Sequence, residues 1–111
     1  MKFNVKEKGD VTVIELSGRI TLGSGDVKLR EKLVEELNKG KKKIVLDLGE
    51  VSFMDSAGLG ELVAAYTSAK RHGAQVKLSN LTKKIDDLLD ITRLSSVFDT
   101  YNSTDDAINS F

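Results

Sequence analysis

Ile44, Val45, Leu46, Asp47 and Leu48 form a nearly unbroken apolar run, and that run narrows what this chain can become. It is too short for a typical helix and too apolar for a strand with one wet face, so it predicts a strand covered on both sides. Such a strand belongs in the middle of a sheet. On its N-terminal side, Leu29, Leu33, Val34 and Leu37 recur at three- and four-residue spacing and mark one face of a helix, which Lys39 and Gly40 end. On its C-terminal side, Leu59, Leu62, Val63, Tyr66 and Ala69 repeat the pattern in a helix beginning near Ser56, with Lys70, Arg71, His72 and Gly73 suited to its C-terminus.

The rest of the chain extends this core. Phe3 to Glu7 and Val11 to Leu16, joined through Lys8, Gly9 and Asp10, predict an antiparallel hairpin. After Gly18 comes a loop of small residues, from Thr21 to Gly25. Gln75 to Ser79 alternates as a half-buried strand, Ile85, Leu88 and Leu89 mark a third helix, Val97 to Tyr101 a last short strand, and Ser103 to Phe111 a closing helix. The expected fold is α/β: one domain over residues 1–111, with two successive strand–helix–strand crossovers after a hairpin, and helices packed on a mixed β-sheet.

Composition removes several classes of function. With 111 residues there is room for one domain, so a catalytic module beside a binding module is not expected. Basic and acidic side chains number 17 each, which leaves no bulk field to recruit nucleic acid or an acidic bilayer. The absence of cysteine excludes a disulfide framework, a thiolate zinc site and a cysteine nucleophile. The first residues carry no stretch of signal-peptide length, and the longest apolar run, Leu62 to Tyr66, is far too short to cross a bilayer. The expectation is a soluble, cytoplasmic protein with no membrane partner. One histidine, His72, rules out a multi-histidine metal site.

The most unusual segment is Val51 to Leu62, where the chain must turn from the central strand into the second helix. Functional loops of open α/β sheets lie beyond the carboxyl ends of strands, and a helix starting there presents unpaired N–H groups and a positive dipole end. Ser56 stands at that point. Its hydroxyl suits an N-cap, a role Asp55 fills equally well. It also suits a phosphate acceptor, because a helix N-terminus stabilises added negative charge and the small Ala57 and Gly58 leave it accessible.

Enzymatic readings of the segment fail on residue types. Met54 stands where a nucleophile elbow needs glycine. Ser56 and His72 would lie at opposite ends of one helix, roughly 24 Å apart at 1.5 Å per residue, too far for a hydrolytic pair. Val63 replaces the third glycine of a dinucleotide fingerprint that Gly58 and Gly60 begin, and no Gly-Lys-Ser/Thr completes a P-loop. Asp47 lies within the strand, without the acidic pair a receiver domain needs, and reads as polar structure. Lys41, Lys42 and Lys43 read as a solvated, aggregation-blocking run before the strand, and Asp86, Asp87 and Asp90 as the wet face of a helix. No catalytic residue, metal site or cofactor is expected.

The stretch from Ile44 through Asp55-Ser56-Ala57-Gly58-Leu59-Gly60 to Leu62 resembles the signature of the anti-sigma factor antagonists of the bacterial STAS-domain family. The resemblance runs over essentially the whole chain, including Leu16-Ser17-Gly18, Val76 to Ser79 and the helix around Ile85 to Leu89. It implies a single STAS-like domain that catalyses nothing, and a regulatory phosphorylation site at Ser56. It also implies that the unmodified protein, a monomer, binds an anti-sigma factor that is also its serine kinase and so frees a sigma factor. Phosphorylation ends that binding, and a serine phosphatase restores it. The partner-facing residues implied are Thr21, Ser24, Asp55, Ser56, Ala57, Gly58, Leu59 and Gly60, with Gly58 and Gly60 admitting a partner's backbone. Family members often carry Gly-Glu-Leu-Asp after the second strand; Gly18-Arg19-Ile20-Thr21 stands here, so polarity falls to Ser24 and Asp26. That departure raises an alternative, a STAS scaffold or regulatory subunit of another signalling or transport complex.

Overall fold

A computed structural model describes residues 2–21 and 26–111. Five strands and four helices follow in the order β1 (Lys2–Lys8), β2 (Val11–Ile20), α1 (Asp26–Asn38), β3 (Lys43–Met54), α2 (Ser56–Arg71), β4 (Gln75–Ser79), α3 (Lys83–Ile91), β5 (Asp99–Tyr101) and α4 (Thr104–Asn109). The sheet order is β1-β2-β3-β4-β5, so the apolar run at Ile44 to Leu48 does occupy the central strand. Strands β1 and β2 form the antiparallel hairpin, and every later pairing is parallel.

Because the strands advance in one direction across the sheet, right-handed crossovers place α1, α2 and α3 on the same face. That face carries the main core. Ile14, Leu16, Ile44, Leu46, Leu48, Val76 and Leu78 from the strands meet Leu29, Leu33 and Leu37 of α1, Leu59, Leu62, Ala65 and Ala69 of α2, and Ile85 and Leu89 of α3. Alternation sends Val11, Val13 and Val45 to the opposite face, where Ala107 and Ile108 of α4, with Tyr101 and Phe111, cover them. The double cover predicted for β3 is therefore real but unequal.

Three differences from the sequence-based expectations have physical causes. Val51 to Met54 are strand, not turn: β3 runs on to Met54, pairing Gly18 with Val51, Arg19 with Phe53 and Ile20 with Met54. Irregular pairing between Glu15 and Ser17 and between Gly18 and Arg19 breaks the alternation that would have shown it. There are three crossovers instead of two, because β5, only three residues long, still pairs in parallel with β4. Finally, Lys77 and Ser79 of β4 are buried with their neighbours, since α4 and the residues after it close over the second face.

Candidate functional site

The strands β2 and β3 end together. Ile20 and Met54 are their last paired residues, both buried, and the Asp55 N–H donates to the Ile20 carbonyl at 3.3 Å. The backbone of Asp55 is extended, and its Oδ1 accepts from the Gly58 N–H at 2.7 Å while its carbonyl accepts from the Leu59 N–H at 2.9 Å. Asp55 is thus the N-cap of α2, satisfying a donor that a helix start leaves orphaned. The sequence left this role open between two residues, and the structure gives it to the aspartate.

Ser56 is therefore the first residue of the helix, freed from capping. It is exposed, and its hydroxyl makes no hydrogen bond among the described residues. The backbone N–H groups and dipole of α2 favour negative charge at this end. Within the first turn itself α2 carries no acidic residue, and the one carboxylate at this end is that of the cap, Asp55.

Gly58 explains how the helix start is held. A Cβ built there would lie 2.0 Å from the Ile20 carbonyl oxygen, so only glycine lets α2 settle on the end of β2. The close approach is made by this chain's own backbone, and Gly58 and Leu59 are both buried. Gly60 is exposed, with open space where a side chain would project. Ala57 and Thr21 are half-buried, and Thr21 follows Ile20 directly at the end of β2. Ser24 and the Asp26 side chain lie outside the described residues.

Two features of this end escaped the sequence reading. The Arg19 guanidinium stacks over the Phe53 ring at 5.2 Å, both side chains exposed, on paired positions of β2 and β3. The signal was an isolated aromatic after the apolar run, legible only once β3 is seen to continue. Arg30 of α1 and Glu61 of α2 form a two-pronged ion pair, Nε to Oε2 at 2.8 Å, that links the two helices beside the site.

The remaining polar residues have structural partners or none. Asp47 accepts from the Gly49 N–H and Asn80 Nδ2 through Oδ1, and from the Thr104 hydroxyl through Oδ2. Lys41 pairs with Glu7, Lys43 with Asp10, and Lys42 donates to the His72 carbonyl. Ser56 and His72 do stand at opposite ends of α2. Asp86, Asp87 and Asp90 bring carboxylate oxygens within 4.8 Å of one another, all exposed, as on any acidic helix face. Among the described residues no helix is long and apolar enough to cross a membrane.

The profile of the STAS domain family matches residues 2–107. An anti-sigma-B factor antagonist of Bacillus subtilis is 36% identical over 99 residues, covering 89% of each chain. One from Listeria monocytogenes is 39% identical over 77 residues, covering 68% of this chain and 66% of its own. The crystal structure of a putative anti-sigma factor antagonist from Thermotoga maritima superimposes with a TM-score of 0.88 at 26% identity, covering 97% of this chain and 92% of that one.

Proposed function

From its membership of the STAS domain family, and within it of the anti-sigma factor antagonists, we propose that this chain is a phosphorylation-switched antagonist working in the bacterial cytoplasm. Unmodified, it binds an anti-sigma factor that is also a serine kinase, and the sigma factor held by that protein is released. The kinase transfers phosphate to the Ser56 hydroxyl, binding ends, and a serine phosphatase returns the chain to its competent form. Kinase and nucleotide belong to the partner; the antagonist offers a surface and a hydroxyl.

One observation carries this reading: Asp55 caps α2, which leaves Ser56 exposed, its hydroxyl without a hydrogen bond among the described residues, at the positive end of a 16-residue helix. A kinase needs a reachable hydroxyl, and Ser56 is reachable without unwinding anything. A phosphate there adds roughly −1.5 to −2 charges and three acceptor oxygens, which the helix end tolerates. The fold survives modification while the surface changes sign. A partner that had closed over a small neutral hydroxyl then meets an anion, and a hundredfold loss of affinity takes only about 2.8 kcal/mol. The proposed contact surface is Thr21, Ser24, Asp55, Ser56, Ala57 and Gly60, with Gly58 and Leu59 holding it from beneath.

The test uses the purified serine-kinase anti-sigma factors of the source bacterium with ATP. Ser56→Ala abolishes phosphate incorporation and keeps binding; Ser56→Asp weakens binding by about a hundredfold. Phosphate on the Ser56→Ala chain would overturn the assignment. The alternative, a scaffold or regulatory subunit of another complex, draws on Thr21 standing where the family often has an acid. It requires stable complexes of fixed stoichiometry with other STAS proteins whatever the state of Ser56, which light scattering reads directly.

A further inference from the structure

The central strand outruns one of its two neighbours. β3 has 12 residues and β4 has 5, and their parallel pairing stops at Asp47 with Ser79. β2 stays paired with β3 as far as Ile20 and Met54. Residues 50–54 are therefore held along the β2 edge, while along the other edge no strand pairs with them among the described residues. Nor does a backbone hydrogen bond tie them to the loop before α3 among those residues. The stop in β4 is built into the chain. Asn80 takes a left-handed conformation, φ 57°, which turns the backbone out of the strand. Its N–H donates to the Tyr101 carbonyl at 3.1 Å, and its side-chain amide donates to Asp47 and Thr104 at 3.1 Å each.

Space opens where β4 turns away. A groove of about 370 Å³ lies between residues 49–52 of β3 and residues 82–84 at the start of α3. Three residues suffice to add a strand to this sheet, since β5 pairs with β4 over that length. An unpaired strand edge selects its occupant by geometry: an extended chain laid alongside, about 4.8 Å away, continues the ladder that β4 breaks off. Charge selects further. Lys83 and Lys84 both line the groove, against one carboxylate, that of Glu50. Lys84 forms no ion pair among the described residues, and the pair of Lys83 with Asp87, at 3.4 Å, is exposed and so contributes little. The end of α3 is already satisfied by Thr82, whose hydroxyl accepts from the Ile85 N–H, so the strand edge and the two ammonium groups carry the recognition.

We propose that this groove is a docking site for an extended acidic peptide segment of another protein, which adds a short strand to the free edge of β3 and sets its carboxylates against Lys83 and Lys84. Backbone pairing supplies affinity whatever the peptide's sequence, and the lysines supply the preference for acids. Both are exposed, so their contribution falls with ionic strength. Nothing in this depends on Ser56 or its modification; the docking site and the antagonist function stand or fall separately.

The experiment titrates the isotope-labelled full chain with a capped hexapeptide of alternating valine and glutamate, at low and high salt, and follows the backbone amide signals by nuclear magnetic resonance. Saturable shifts are expected at residues 49–54 and 82–84, with weaker binding in high salt. The fully N-methylated peptide keeps its charge but cannot donate to a ladder, and it is expected not to bind. A peptide of alternating valine and lysine is expected to bind about tenfold more weakly than the glutamate peptide, and the double variant Lys83→Glu/Lys84→Glu to reverse that preference. Unchanged amide signals away from α3 confirm that the double variant is folded. Shifts absent or confined to β1, equal binding of the N-methylated peptide, or indifference to the peptide's charge would each overturn the docking site.

Discussion

The two faces of the sheet are built on different terms. On the face covered by α1, α2 and α3, β3 contributes Ile44, Leu46 and Leu48 to a continuous apolar layer with little polar content. On the other face a six-residue helix, α4, does most of the covering, and the interior there is partly hydrogen-bonded. Ser79, Asn80, Asp47 and Thr104 share one network, in which the Thr104 hydroxyl meets the other three side chains. The Lys77 ammonium reaches the Ser110 hydroxyl at 2.7 Å and its carbonyl at 3.1 Å, and lies 4.6 Å from the Phe111 ring centroid. Topology is the reason: successive right-handed crossovers spend every long helix on one side. The other side must be closed with short elements, and polar pairing fixes their position where apolar area is scarce.

That contrast breaks if adjacent residues of β3 behave alike. Leu46→Ala, on the thick face, is expected to cost about 4 kcal/mol, because a fully buried leucine there leaves a cavity that three packed helices cannot fill. Val45→Ala, equally buried but facing α4, should cost about 2 kcal/mol or less, since less carbon is lost and the short cover can settle inward. Denaturant midpoints compare the two, and equal costs would mean that the thin face is packed as rigidly as the thick one.

Thr104→Val sharpens the same comparison through polar chemistry. It preserves shape but removes the hydroxyl that Asp47, Ser79 and Asn80 share, so a loss of roughly 1–3 kcal/mol is expected, from groups left without a partner. A neutral result would show that this network is decoration. A smaller pair of changes separates the cap from the proposed switch at α2: Asp55→Ala should cost about 1 kcal/mol through loss of the cap, while Ser56→Ala stays within about 0.5 kcal/mol. Comparable losses in the two melts would return capping to the serine.

The smallest effect lies at the rim, outside both faces. A hydrogen bond from Lys43 at 2.7 Å, with its charge, holds the Asp10 carboxyl below the usual carboxylate range. A depressed folded pKa means the contribution is present above the unfolded value and lost as pH falls through the folded one. Asp10→Asn should therefore lower stability slightly at neutral pH, leave it unchanged at acid pH below the folded value, and so flatten the acid limb of the profile. Lys39 is the mirror case: a hydrogen bond from its ammonium to Glu36, and that carboxylate's charge, raise its pKa, so its contribution disappears as pH rises through the folded value.

The thick face was the easier one to read from the sequence, because helical spacing and a strand of successive apolar residues both announce a core. Leu29, Leu33, Leu37, Leu59, Leu62 and Ala69 were placed by spacing alone and are buried. Val34, Val63 and Tyr66 sit at the edge of the same faces, half-buried. The thin face was obscure since its stability depends on contacts between distant residues: Thr104 lies 57 positions from Asp47 and no local pattern joins them. The site divides in the same way. The helix start at Ser56 follows from local chemistry, but which of two capping residues holds it, and what Gly58 makes room for, depend on Ile20, far back in the chain.

The division between Asp55 and Ser56 bears on how such a surface can diversify. With turn geometry fixed by an aspartate and a glycine, the serine position is released from any architectural duty. Under the proposed function, exchanging it for threonine, for alanine or for an acid would retune, silence or permanently set the signal without redesigning the domain beneath it.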